Sequence, residues 1–334
     1  MVDSQYKLNL PPESYISVKH TDMEYFVSSI SKACGLSPTR SDLLARLLTE
    51  NDLRGVFSHG TRQICSYAPA IKNGYLNNDP EVKIIKETPT SIIMDGDGGL
   101  GYFPLYDGTL KAIEKTKQTG VAVLQTRNHG HIGAAGIYSR IPLKYNFASF
   151  VTGGGNLNLH PGQPVYTPAI GSPMSISAPA GNNPPFVVDF APVYDLRISP
   201  RWDELSKWIP GTIFKCIGLG MIAQVWGGIM AGSPASRSDQ FIKEYEDTGA
   251  NAFIFMFDVG LFIDIQEYNT EIGKLVDQIR NLSPLDGIES ANYAGGIESD
   301  RESEFRERGI PVGLDHKKDL ESVAGEFGVS LPWE

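Results

Sequence analysis

Up to about Tyr75 the apolar positions recur with a helical period. Phe26, Val27, Ile30 and Cys34 share one face of a segment that Thr21-Asp22 should cap and Gly35 should close. Ser41-Asp42 opens a second segment, in which Leu43, Leu44, Leu47 and Leu48 form an apolar stripe. A third follows Gly60, gathers Ile64, Tyr67 and Ile71, and stops at Asn73-Gly74. Near residue 82 the period shortens. Val82-Lys86 and Thr90-Met94 read as strands around a Thr-Pro break. A helix (Leu105 to Thr119), a strand (Val121-Thr126), a helix (Ala134 to Leu143) and a strand (Phe147-Thr152) follow. Further strand-like runs are Met174-Ser177, Phe186-Phe190 and Ala252-Phe257. Lys215 to Met230 reads as a buried core helix, Glu271 to Asn281 as another helix, and the charged last 35 residues as surface-lying. The alternation predicts an α/β fold, a sheet covered by helices.

Composition narrows the class. With 334 residues, 41% hydrophobic and 20% charged, the chain can build a large core and is expected to form two domains. Its net charge of −10 opposes binding to nucleic acid or to an anionic membrane, and no Lys/Arg cluster is visible. Cys34, Cys65 and Cys216 are too scattered for a disulfide framework or a metal site and suit a reducing compartment. The N-terminus lacks a basic region followed by an apolar one, and the apolar run Ile217 to Ala231 is read as too short to span a bilayer. The expectation is a cytoplasmic protein acting on a small molecule, with no nucleic-acid or membrane partner.

Gly96-Asp97-Gly98-Gly99-Leu100-Gly101 fits the G-x-G-x-x-G spacing that lets a backbone approach a pyrophosphate. The acidic residue expected about 20 positions on to hold a ribose is absent, since that stretch reads Val121-Ala122-Val123-Leu124-Gln125. A glycine-rich turn is therefore the preferred reading. More informative are Ser58-His59-Gly60 and His129-Gly130-His131-Ile132-Gly133, two histidines in glycine-rich turns ahead of helices. Ser58 can cap a helix, and His131 is placed to open a glycine- and alanine-rich helix whose N–H groups suit an anion. A lone histidine is more often structural, but two in such turns favour acid-base function. No carboxylate or cysteine stands near His129 and His131 at metal-ligand spacing, so no metal is expected, and no G-x-S-x-G elbow marks a serine hydrolase.

These residues give the chain a family resemblance. Arg54-Gly55-Val56 with Ser58-His59-Gly60, Arg127-Asn128 with His131, Gly133 and Gly136, Ala178-Pro179-Ala180, Pro185 to Asp189, Phe214-Lys215 with Gly218-Leu219, and Gly309-Ile310-Pro311 occur in one order. In these the chain resembles the malate/L-lactate dehydrogenase-type NAD(P)-dependent oxidoreductases, from about residue 20 to 315. That group includes ureidoglycolate and sulfolactate dehydrogenases and cyclic-imine reductases. The resemblance implies an atypical mixed-sheet, non-Rossmann NAD(P)-binding domain over 81–289. It also implies a helical domain over 1–80, completed by about 290–334, and a homodimer. It implies NAD or NADP as cofactor, contacted by Gly155, Asp189, Phe190, Ala191, Lys215 and Gly295. It makes His131 the proton donor or acceptor, with His59 the second catalytic histidine and Ser58 lining the same cleft.

Departures cluster at the chemistry. The family's carboxylate-gripping arginine falls on Gln63, with Arg62 one residue early, which on a helix is about 100° of rotation away. Gly155 stands for a serine, Asn158 for a frequent lysine, and Gly171-Ser172-Pro173 for a longer turn. Asp189 is followed by Phe-Ala-Pro, and the segment from Asp189 to Lys215 is about half the family's length. His129 and His160 are further candidates for the substrate cleft, beside Arg62, Gln63 and Asn158. Two readings stay open: hydride transfer on an atypical substrate other than a small 2-hydroxy acid, or a repurposed scaffold doing non-redox acid-base chemistry as a cyclase, isomerase or lyase.

Overall fold

A computed structural model describes residues 10–155, 157, 159–232, 244–284 and 290–333. The predicted helical opening is present as α1 (His20–Ala33), α2 (Pro38–Leu53) and α3 (Ile64–Lys72). Their inward stripes, including Phe26, Val27, Ile30, Leu44, Leu47, Leu48, Ile64 and Ile71, are buried. The caps differ from expectation. Thr21-Asp22 lies inside the first turn of α1, which starts at His20 after Lys19. α2 starts at Pro38, with the Ser37 hydroxyl accepting the Arg40 N–H, so Ser41-Asp42 falls inside the helix. A serine before a proline outcompetes the later pair: proline at the first helical position is pre-set in φ and has no N–H to satisfy.

The centre is a seven-stranded sheet in the order β2-β3-β4-β8-β5-β6-β7. Its strands are β2 (Lys83–Thr88), β3 (Ser91–Asp95), β4 (Val121–His129), β5 (Phe147–Gly155), β6 (Met174–Ala178), β7 (Phe186–Phe190) and β8 (Ala250–Asp258). Only the β3–β4 pair is parallel, joined by α4 (Tyr102–Thr119), and the other pairs are antiparallel. The expected mixed sheet is thus observed. Gly108 of α4 leaves room for Leu124 of β4, while the next residue, Gln125, donates to Gly227 on the opposite face. Alternation along a strand therefore places α4 and the later apolar helix on opposite faces of the sheet. A small antiparallel sheet of β1 (Tyr15–Val18) and β9 (Ile310–Gly313) joins the two ends of the chain.

Three other expectations change. The helix predicted over 134–143 is a short α5 (Gly136–Arg140) followed by a 3-10 turn, Ile141–Tyr145, because Pro142 cannot continue the α-helical hydrogen bonding. The last residues do more than lie on the surface. Between α10 (Gly296–Arg308) and α11 (Leu314–Phe327), and within α11, Ile310, Val312, Leu320, Val323 and Ala324 join the main core. Finally, the apolar helix is not a core helix. After short α6 (Tyr194–Ile198) and α7 (Trp202–Trp208), α8 (Pro210–Gly227) and a 3-10 turn run to Ala231. Among the described residues this 22-residue stretch is long and apolar enough to cross a membrane, which corrects the reading that it is too short. Only 39% of its apolar window is buried, with Phe214, Leu219, Ile222, Ile229 and Met230 exposed. α9 (Ile265–Arg280) covers the turn at Gly181.

Candidate active site

The first histidine sits in a 3-10 turn, Phe57–His59, that links α2 to a second such turn, Thr61–Gln63, at the head of α3. None of Phe57, Ser58 and His59 is fully buried, so packing alone does not fix this turn. Polar bonds do. Asn51 Nδ2 donates to the His59 carbonyl at 2.8 Å, and the Thr61 N–H donates to Asp52 Oδ2 at 3.0 Å. The Thr61 hydroxyl donates to the same oxygen and accepts from His316 Nε2 at 3.3 Å. Ser58 Oγ lies 2.9 Å from His59 Nδ1, and Gln63 Nε2 donates to the Ser58 carbonyl at 2.6 Å.

The second histidine follows β4. Asn128 takes a left-handed φ of 55°, its Nδ2 donating to Asp95, and Gly133 takes a φ of 73°. A Cβ on Gly133 would stand 2.2 Å from the Tyr102 hydroxyl, so only glycine fits the tyrosine packed beneath it. This folding leaves His131 exposed. Its Nδ1 is 2.5 Å from Tyr67 Oη, which is 3.3 Å from Tyr102 Oη, and its ring centroid lies 5.5 Å from that of His59. Among the described residues neither His131 Nε2 nor His59 Nε2 has a hydrogen-bond partner, and the bonds of both rings run through Nδ1. Burial, and then the charge of His59, pull His131 down to about 4. Burial also lowers His59 and holds the Tyr67 phenol well above its ordinary value. The pair is therefore a neutral imidazole backed by a phenol that keeps its proton.

Beyond the histidines, Asp189 Oδ2 accepts the Gly136 N–H at 3.0 Å. The side chain opens to solvent, yet crowding around the carboxyl raises it to about 6, against the Gly136 amide and Arg140, which lower it. Arg140 makes no ion pair among the described residues. Burial and neighbouring Arg54 bring it to about 10, while Glu298, Asp189 and Glu302 act the other way.

His59, Ser58 and His131 are thus brought together, and Asp189 is tied to the same loop through Gly136. Other candidates are not. His129 is fully buried: its Nδ1–H donates to the Gly130 carbonyl and its Nε2 accepts from Thr126 Oγ1, each at 2.8 Å. That closed pairing, with burial pulling the ring down to about 4, makes it a strand-end anchor and removes it from the substrate cleft. Arg62 is exposed and paired with Asp319 of α11, at 2.8 Å from its Nε, while Gln63 is spent on Ser58. His160 lies on an exposed loop closed by Gln163, and Asn158 lies outside the described residues. The α5 N-terminus is not free for an anion, because Asp189 takes the Gly136 N–H. Gly155 and its neighbours are explained by packing: a Cβ on Gly154 would stand 2.5 Å from the Gly228 nitrogen, and one on Gly155 2.8 Å from the Gly249 carbonyl. Gly295, at φ 97°, packs against the Pro185 carbonyl. Lys215 on α8 is exposed, and Phe190 and Ala191 are partly exposed at the end of β7. The Gly96–Gly101 run is a packed turn, with Gly99 against Pro80 and Gly101 against Ile132 and the Gly130 carbonyl.

Sequence reasoning missed Asn51, Asp52, Thr61, Tyr67 and Arg140. Tyr67 carried a signal, since a buried tyrosine needs a partner for its hydroxyl. Asp52 carried another, as an acid on the apolar face of α2.

Comparison with known proteins adds the family. Residues 18–193 match the malate/L-lactate dehydrogenase family. The chain is 25% identical to the malate dehydrogenase of Pyrococcus horikoshii, over 95% of this chain and 97% of that protein. It is 23% identical to the ureidoglycolate dehydrogenase (NAD(+)) of Escherichia coli, over 84% and 89%. The solved structure of the Pyrococcus enzyme superposes with a TM-score of 0.81 at 23% identity, covering 96% of this chain and 98% of that one, a likeness of fold.

Proposed function

This chain belongs to the malate/L-lactate dehydrogenase family, and from that premise we propose that it is an NAD(P)-dependent oxidoreductase acting on a hydroxy, carbonyl or imine compound, with His131 carrying the proton. The observation that carries this reading is the pairing of exposed His131 with Tyr67 and His59. The relatives support a dehydrogenase, and one of them is named for NAD(+).

A dinucleotide fits the open groups. Asp189 has one carboxylate oxygen without a partner among the described residues, suited to a ribose diol. Arg140 and exposed Lys215 suit phosphate charge. When bound, the nicotinamide supplies or takes the hydride. For His131 to act as a base, its Nδ1 must carry the resting proton and donate it to Tyr67 Oη. The Tyr67 hydrogen then points to Tyr102 Oη, and the Nε2 lone pair faces the substrate hydroxyl. A ring pulled down to about 4 is in this accepting form at neutral pH. Oxidation of a hydroxyl is accordingly the direction the resting site favours. With Gln63 bonded to Ser58 and Arg62 to Asp319, no arginine from this turn is left to grip a carboxylate, which favours a substrate other than a small 2-hydroxy acid. The exposed apolar face of α8 fits cover by a second copy of the chain, in keeping with a homodimer, and the three free cysteines suit the cytoplasm.

The test is direct. NADH or NADPH should raise the melting temperature, and His131→Ala should cut turnover of the best hydroxy compound by about 10²- to 10⁴-fold. Absence of binding by either dinucleotide at millimolar concentration, or unchanged turnover in His131→Ala, would overturn the proposal. Turnover that needs His131 but ignores added cofactor would instead support non-redox acid-base chemistry.

A further inference from the structure

We infer that Asn51 and Asp52, at the C-terminal end of α2, are positioning residues of the active site, holding the Ser58–Thr61 turn so that the His59 ring stands against His131. The inference deepens the reading of His59 and His131 as the active site and rests on it. The two residues grip the turn on either side of Gly60. Asn51 takes the carbonyl before it, at His59, and Asp52 takes both the N–H and the hydroxyl after it, at Thr61. Asn51 also holds the approach to the turn, its own carbonyl accepting the Val56 N–H at 2.8 Å.

Three features separate this clamp from ordinary helix-end bonding. Asp52 is fully buried on a helix face otherwise occupied by Leu44, Ala45 and Leu48, where an apolar side chain would avoid the cost of burying a carboxylate. Its second oxygen, Oδ1, has no hydrogen-bond partner among the described residues and sits where a Cβ on Gly60 would come within 1.7 Å. Gly60 has an ordinary negative φ of −88°, so glycine is required there by the carboxylate's closeness and not by backbone conformation. Lastly, the bonds run in one direction across the molecule. His316 Nε2–H on α11 donates to Thr61 Oγ1, and Thr61 O–H donates to Asp52 Oδ2, so the C-terminal helix backs the clamp.

The experiment compares Asn51→Ala, Asp52→Ala, Asp52→Asn and Thr61→Val. Each is read by the rate at which diethyl pyrocarbonate modifies His59, followed by peptide mass spectrometry with exposed His160 as the internal reference, and by kcat and KM with NAD or NADP. Loosening the turn should speed modification of His59 over His160. It should also lower kcat by about 10- to 100-fold while KM stays near the parent value, the mark of misplaced chemistry in place of lost binding. Asp52→Asn keeps an acceptor oxygen for Thr61 and should restore both readouts most of the way. Thr61→Val and Asn51→Ala keep the test open should Asp52→Ala not fold. Parent-like modification and kcat in the alanine variants, or failure of Asp52→Asn to differ from Asp52→Ala, would overturn the inference. A parent protein inert toward every hydroxy compound would count against the dehydrogenase reading alone, because the modification rates still report on the clamp.

Discussion

Two sides of the molecule are built on different terms. On the near side, from α2 to α5, each reactive group is tied down: His59 by Asn51, Ser58 and Asp52 through Thr61, and His131 by Tyr67 over Tyr102. On the far side, from β7 to α8, Asp189 makes one hydrogen bond among the described residues, and Lys215 and Phe214 open to solvent. α8 meets the sheet near its C-terminal end, with Gly227 against Gly153, Trp226 edge-on to Phe150 and Phe253, and Gln224 accepting the Gly155 N–H, while Gly220 packs on Ala169 of a 3-10 turn. The groups proposed to move protons are therefore held by the fold itself. Those suited to a cofactor make few contacts among the described residues.

The sharpest way to break this contrast is Gly60→Ala. The new methyl must displace a buried carboxylate that holds Thr61, and we expect a loss of about 3 kcal/mol in urea unfolding, the upper range for overpacking. A loss below about 1 kcal/mol would mean that the near side yields as easily as the far one.

Acid should strain the near side next. Burial holds the His316 ring down to about 4, whereas the unfolded chain takes up a proton near the ordinary 6.5. Its contribution to stability is complete above 6.5 and is lost as pH falls toward 4. Between pH 7 and pH 5 the parent should lose about 2 kcal/mol more than His316→Gln. Asp52 acts in the opposite sense. Its carboxyl is raised to about 7 by burial, against the two Thr61 bonds, so the folded state gains stability as pH falls through that value. Asp52→Asn should therefore be more acid-sensitive than the parent. Urea midpoints at the two pH values check both signs.

The same contrast governs what could be read from the sequence. Apolar periodicity located the three opening helices, the change to strands near residue 82 and most of the sheet, because burial of whole faces leaves a local pattern. Polar fates are not local. His129 and His131 lie two residues apart in one motif, yet one is sealed by Thr126 and the Gly130 carbonyl while the other opens beside Tyr67. Thr61, which binds Asp52, meets His316 over 255 positions, and nothing near either announces it. Arg62 found Asp319 in the same way. α8 misled for the opposite reason: its composition is that of a core helix, but among the described residues one face of it, with Phe214, Leu219 and Ile222, is exposed.

Tyr67→Phe probes a smaller quantity. Removing the hydroxyl takes the partner from His131 Nδ1 and leaves Tyr102 without its own, for a stability cost of about 1 kcal/mol. Turnover should fall about tenfold, since the ring loses the acceptor that keeps its proton on Nδ1 and its lone pair on Nε2. Full activity in this variant would place the control of His131 elsewhere and weaken the view of the near side as fixed by its hydrogen bonds.

Gly218→Ala is the smallest effect, and it is expected to stabilise. Gly218 lies in the middle of α8, and a Cβ there meets nothing within 4 Å, whereas the same substitution at Gly60 meets Asp52. In a helix interior alanine is favoured over glycine by about 0.5–1 kcal/mol, because it loses less backbone freedom on folding. With no steric term to oppose it, that gain should appear in full when unfolding is followed at high dilution, where only single chains are present. Repeating the measurement at high protein concentration adds the second half of the test. If a second copy covers α8, the methyl enters a face already in contact and the gain shrinks or reverses. If the face stays in water, the gain is the same at both concentrations. A loss of stability at high dilution would show that the space beside Gly218 is filled within one chain, and the contrast between the two sides would fail at the position where it is most exposed.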